Sequence, residues 1–166
     1  MEQPNSERMQ EAPVSRGDFV KTLGLGMGAA GLASLMGGAS AASAQGKGKY
    51  VIVVSHGGND PNRAIFGLLM ADVAASKGWG SVHVWLYLDG ADLALARKAE
   101  RIKSPIYENF GTAADLIKKL KGQNVWFGAC PPCLDFFNDG SKYDFVEKAG
   151  GDWLMKNIQD AWVVWS

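Results

Sequence analysis

The sequence predicts an α/β fold: an open, mainly parallel sheet flanked by helices on both faces, a three-layer sandwich. Three observations predict it. Tyr50-Val51-Ile52-Val53-Val54 is a continuous apolar, β-branched run closed by His56-Gly57-Gly58, the pattern of a strand covered on both faces. Val82 to Leu88 (VHVWLYL) repeats that pattern after a segment of helical period, which makes a strand–helix–strand unit. Helix and strand patterns go on alternating to Trp165, and strands so spaced pair in parallel through helical crossovers.

Each element has its own signal. Between the first two strands, Asp60 suits an N-cap and Pro61 the first helical position, and Ile65, Leu68, Leu69 and Val73 follow helical spacing until Gly78. Asp89-Gly90 closes the second strand, Ala91 to Ala99 reads as a helix, and residues 101–111 have the least regular pattern. Thr112 or Gly111 caps a helix over Ala113 to Lys121. Asp115 stands in its first turn and Lys118, Lys119 and Lys121 in its last, as the helix dipole favours. Asn124 to Ala129 (NVWFGA) is the third strand, with Cys130-Pro131-Pro132-Cys133 at its carboxyl end. A short helix through Leu134 to Phe137, a helix over Asp152 to Ile158 and a last strand over Ala161 to Trp165 complete the order. Trp85, Trp126 and Trp162 are expected in the core, and Trp79 or Trp165 at an interface.

The chain has 166 residues, 47% hydrophobic and 20% charged, with Lys+Arg and Asp+Glu equal at 17 each. That balance excludes a disordered polyelectrolyte and argues against electrostatic binding of nucleic acid. Residues 1–44 read as an export signal peptide. A polar stretch with Arg16 and Lys21 leads into the small, apolar residues 23–36, and Ala42-Ser43-Ala44 offers a cleavage site before Gln45. The apolar run falls short of the roughly twenty residues that span a bilayer, so no stable membrane insertion is expected after cleavage. Ser15-Arg16-Gly17-Asp18-Phe19-Val20-Lys21 resembles the twin-arginine (Tat) export motif with Gly17 in place of the second arginine, and an ordinary Sec signal is the alternative. Either route implies a periplasmic protein, with residues 45–48 as a linker and 49–166 as one domain. Three basic and four acidic residues fall in the leader, leaving 14 Lys+Arg against 13 Asp+Glu from Gln45 onward and no basic patch.

Ligands of open α/β sheets bind beyond the carboxyl ends of the strands. The first strand ends at Ser55-His56-Gly57-Gly58-Asn59, the second at Asp89 and the third at Cys130, whereas His83 lies near the start of its strand. The only two cysteines, Cys130 and Cys133, cannot make a disulfide framework and form one local chemical unit. Amide N–H groups at a helix start stabilise a thiolate, and Pro131-Pro132 restrict the turn that carries both sulfurs. At least one cysteine is therefore expected to be reactive. His56 is a candidate proton acceptor for a thiol or else a loop histidine, and Asp89 is more simply a turn former. No cofactor is expected, because Gly57-Gly58 supplies no GxGxxG and no Walker A pattern occurs. A Ser55–His56 hydrolase lacks the G-x-S-x-G elbow, and neighbours on a strand point to opposite faces.

His56-Gly57-Gly58-Asn59-Asp60-Pro61 after the first strand and Cys130-Pro131-Pro132-Cys133-Leu134-Asp135 after the third resemble the DsrE/DsrF-like family of small sulfur-relay proteins. Many of these carry a cysteine after that strand in patterns resembling C-x-x-C-[LM]-D-x-R-G. The resemblance spans residues 49–166, with Phe137 to Gly140 (FNDG) standing where Arg-Gly commonly ends the motif. It implies a flavodoxin-like, YchN-like fold, a homo-oligomer (trimer or hexamer) and a cysteine that carries sulfur as a persulfide. Carried onto this sequence, Cys130 is the nucleophile and Cys133 a resolving or second thiol. The partners implied are sulfur donor and acceptor proteins or small sulfane-sulfur compounds. A sulfur carrier or sulfurtransferase is therefore the leading expectation. A copper or zinc protein using Cys130, Cys133 and His56, and a periplasmic thiol–disulfide oxidoreductase, are the alternatives.

Overall fold

The computed structural model of the chain describes residues 48–166; the expected signal peptide and the linker up to Lys47 lie outside the described residues. The order is β1 (Gly48–Val54), α1 (Pro61–Ser76), β2 (Gly80–Leu86), a 3-10 segment over Leu88–Ala94, α2 (Ala96–Ala99), a 3-10 turn over Glu108–Phe110, α3 (Ala113–Gly122), β3 (Trp126–Ala129), α4 (Pro131–Phe137), β4 (Val146–Lys148), α5 (Gly151–Asn157) and β5 (Trp162–Trp165). The strands form one sheet in the order β4-β3-β2-β1-β5, with every neighbouring pair parallel.

Burial on both faces explains the unbroken apolar run of β1. Ile52 and Val54 point into the larger core, with Ile65 and Leu68 of α1 and Ile117 and Leu120 of α3. Val51 and Val53 point the other way, onto Trp85, Ala149 and Leu154. Each such aliphatic side chain contributes about 1.5–3 kcal/mol by leaving water. On that second face the Trp85 indole N–H donates to the Ala149 carbonyl at 2.9 Å, which satisfies the one polar atom the ring buries. Trp126 stacks on Trp153 at 4.2 Å between centroids.

The helix starts follow their signals. Asp60 accepts the Arg63 backbone N–H at 3.2 Å with Pro61 next in line, and Thr112 and Asp115 form a reciprocal capping box.

Four details depart from expectation. β2 ends at Leu86, and Leu88, expected within that strand, opens a 3-10 turn with a left-handed φ of 49°. The helix expected over Ala91 to Ala99 is broken at Leu95, which is extended and pairs with Lys142. That bridge is fixed by the Ala96 N–H on the Ser141 carbonyl and the Tyr143 N–H on that of Ala94. β4 was not expected, since three residues with one buried side chain, Val146, are too few to show a period. Trp162 is 71% exposed, because β5 is an edge strand, so its place is the surface and not the core.

Candidate functional site

Parallel pairing sets the carboxyl ends of β1, β2 and β3 along one edge. At about 4.8 Å between neighbouring strands, the ends of β1 and β3 stand about 10 Å apart. Cys130 leaves β3 with its N–H on the Leu86 carbonyl at 2.9 Å and becomes the N-cap of α4, whose first turn holds Pro131 and Pro132. Proline is suited there, because the first turn leaves its N–H groups unpaired in any case. The turn brings the Cys130 and Cys133 Cα atoms to 5.3 Å, and the two sulfurs are joined as a disulfide.

The two sulfurs face different surroundings. Cys133 lines an open apolar cleft of about 390 Å³ with Leu88, Asp89, Pro132, Phe136 and Phe137. Its Sγ accepts the Leu88 backbone N–H at 3.3 Å. Cys130, also partly buried, instead packs against the cluster of Val51, Val53, Trp85, Ala149 and Leu154.

The loop after β1 holds the Leu88 turn in place. The Tyr87 N–H donates to the Val54 carbonyl at 3.1 Å and the Gly90 N–H to that of Ser55 at 3.0 Å. Asn59 ties both loops together: its Oδ1 accepts the Gly57 N–H at 2.9 Å, and its amide donates to Asp89 Oδ2 at 3.0 Å. Gly90 lies so close to β1 that a Cβ there would stand 2.2 Å from the Val54 carbonyl oxygen. Asn59 thus links the loop after β1 to the turn whose Leu88 N–H meets Cys133 Sγ.

His56 faces its own neighbours. Ser55 Oγ–H donates to the Ser166 main-chain oxygen at 2.9 Å, so it accepts from His56 Nδ1–H at 2.8 Å. That leaves His56 Nε2 with its lone pair toward Arg63 Nη1, at 3.4 Å. Ser55, His56 and Arg63 line a second cleft of about 360 Å³ with Phe66, Tyr87 and Trp165. Among the described residues His56 hydrogen-bonds to neither cysteine. Arg63 was not singled out from the sequence, although its place in the first turn of a helix starting beside His56 was the available signal. His83 lies at the opposite edge with Gly80, Ser81 and Asn124, as its position in the strand required.

The alternative metal set of Cys130, Cys133 and His56 is not brought together. Among the described residues no group of three or more His, Cys, Asp or Glu side chains is arranged to hold an ion, and a disulfide offers no thiolate ligand.

The DsrE/DsrF-like family model matches residues 48–162, which include the His-Gly-Gly-Asn loop and the Cys-Pro-Pro-Cys turn. The chain belongs to the DsrE/DsrF-like family. Among solved structures, this DsrE/DsrF-like protein is similar to the YchN protein from E. coli, at 16% identity and a TM-score of 0.51 over 72% of this chain and 99% of that one. At that identity the likeness is one of fold. No curated protein matches the chain.

Proposed function

We propose that this DsrE/DsrF-like protein is a sulfur carrier that holds sulfane sulfur as a persulfide on the Cys130–Cys133 pair and passes it to a partner thiol. The observation that carries the reading is the place of that pair. It lies at the carboxyl edge of a parallel sheet, with one sulfur on an open cleft and under a backbone N–H. In the reduced pair a thiolate attacks the sulfane sulfur of a polysulfide or thiosulfate. A cysteine–sulfur bond forms, the donor's S–S bond breaks, and its electron pair leaves on the departing thiolate or sulfite. The export leader makes the periplasm the proposed compartment, and the family resemblance makes a homo-oligomer and protein partners part of the same reading.

The test is the intact mass of reduced protein after incubation with polysulfide or thiosulfate. A gain of about 32 Da that reductant reverses, absent when both cysteines are serine, is the expected result. A reduced wild-type protein that gains no sulfur overturns the carrier. The disulfide itself favours a second reading, a thiol–disulfide oxidoreductase, which would exchange disulfides with a thiol substrate while its mass shows no added sulfur.

A further inference from the structure

We infer that sulfur enters and leaves this site at Cys133, the second cysteine, and that the Leu88 main-chain N–H stabilises the anion formed there. The inference rests on the sulfur-carrier reading and reverses the order that the family resemblance implies, in which Cys130 is the nucleophile.

Two independent observations distinguish the sulfurs. The first is access. Both cysteines are partly buried, but Cys133 is in the wall of the open cleft, whereas Cys130 packs on the apolar cluster of Val51, Val53, Trp85, Ala149 and Leu154. Sulfur exchange needs an approach to the reacting sulfur, and access decides which of two thiols is used. The second is the donor. Leu88 N–H points at Cys133 Sγ at 3.3 Å, while Cys130 contributes its own N–H to the Leu86 carbonyl. A hydrogen bond to a thiolate is charge-assisted and favours the anionic form. A main-chain donor does not titrate, and this one is held in advance. Leu88 adopts its left-handed φ of 49° between Tyr87 and Gly90, whose N–H groups are both fixed to the end of β1.

With the pair reduced, Cys133 thiolate attacks the sulfane sulfur of a persulfide, a polysulfide or thiosulfate. The Cys133 Sγ–S bond forms as the donor's S–S bond breaks, and the donor's electron pair leaves on thiolate or sulfite. Unloading is the reverse in kind. An acceptor thiolate takes the terminal sulfur, and the electron pair returns to Cys133 Sγ, where the Leu88 N–H meets it. Neither direction needs an oxidant.

The experiment loads reduced wild-type protein with polysulfide, caps it with iodoacetamide and locates the added sulfur by fragment-ion mass spectrometry. Sulfur on Cys133 is expected. The single variants are compared alongside. Cys130→Ser should still load, and Cys133→Ser should load at least about tenfold more slowly, the factor that one charge-assisted hydrogen bond supplies. At neutral pH the lone Cys133 should likewise alkylate about tenfold faster than the lone Cys130. Sulfur found on Cys130 of the wild type, where no variant has to fold, overturns the assignment and leaves the carrier standing. Sulfur on neither cysteine overturns the carrier and the assignment with it.

Discussion

Gly57 packs on Asp89 so closely that a Cβ on it would stand 2.2 Å from the Asp89 carbonyl oxygen and 2.9 Å from the Asp92 Cβ. A hydrogen in place of a methyl group is what lets the loop after β1 lie flat on the turn that carries Leu88. Gly57→Ala should therefore push the two loops apart and lower stability by about 1–3 kcal/mol, the usual cost of overpacking a fixed site. Chemical unfolding of the variant measures this. A Gly57→Ala protein as stable as wild type would show that the contact yields without cost.

The fold was legible where burial imposes a period, and the candidate site where a side chain is reactive by its type. The Tyr50–Val54 run, the Asp60-Pro61 helix start and Thr112 with Asp115 all have local signals that the structure satisfies. Cys130 and Cys133 announce themselves by type and spacing. Leu88 could not, because its contribution is a backbone N–H that any residue but proline has, and an apolar run such as VHVWLYL does not mark where pairing stops. The true limit of β2 is set from outside, by Gly90 lying on the Val54 carbonyl. β4 and the break at Leu95 are likewise tertiary, resting on partners about fifty residues or less along the chain and invisible to a local pattern.

Asp72 joins α1 to α3. It accepts from Lys119 at 2.7 Å, Gln123 at 3.0 Å and Ser76 at 3.1 Å. Burial pushes its carboxyl up, but these bonds and the Lys119 charge outweigh that and hold it below its ordinary 3.8. A carboxylate depressed in the folded state stabilises at pH above the unfolded value and loses that contribution as pH falls through the folded one. Asp72→Asn should cost about 1 kcal/mol at neutral pH, a modest figure because the Lys119 side chain is largely exposed. The gap between the variant and wild type should close as pH falls below 3.8. Denaturation curves at several pH values check both halves, and a gap independent of pH would sink the account.

His83 gives the opposite residue type with the same direction of pH dependence. Its ring lies 5.7 Å from that of Trp126 and 6.0 Å from that of Trp153, and Nδ1 has no hydrogen-bond partner among the described residues. Burial first, and the Lys49 charge second, push it below 6.5. The unfolded chain therefore takes up a proton near pH 6.5 that the folded chain still refuses, so stability falls as pH drops from there to the lower folded value and then levels. His83→Phe keeps the aromatic packing and removes the proton. The variant should lose this part of the pH slope, and an unchanged slope between about pH 5 and about pH 7.5 would assign it to another group.

Asn59 offers a way to disturb the sulfur site without touching it. Its amide bonds to Asp89, and its carbonyl oxygen accepts from Gly57, so it joins the loop after β1 to the turn that presents Leu88 to Cys133. The Asn59–Asp89 bond is exposed, and Asn59→Ala should cost under about 1 kcal/mol of stability. Its effect on chemistry should be larger than its effect on folding, because a donor aimed at a developing thiolate is useful only while its position is fixed. In reduced protein the alkylation rate of Cys133 should fall several-fold in Asn59→Ala, with the rate of Cys130 unchanged. Equal slowing of both cysteines would mean a general loosening of the edge, and no slowing of either would mean that Gly57 and Gly90 hold the Leu88 turn without Asn59.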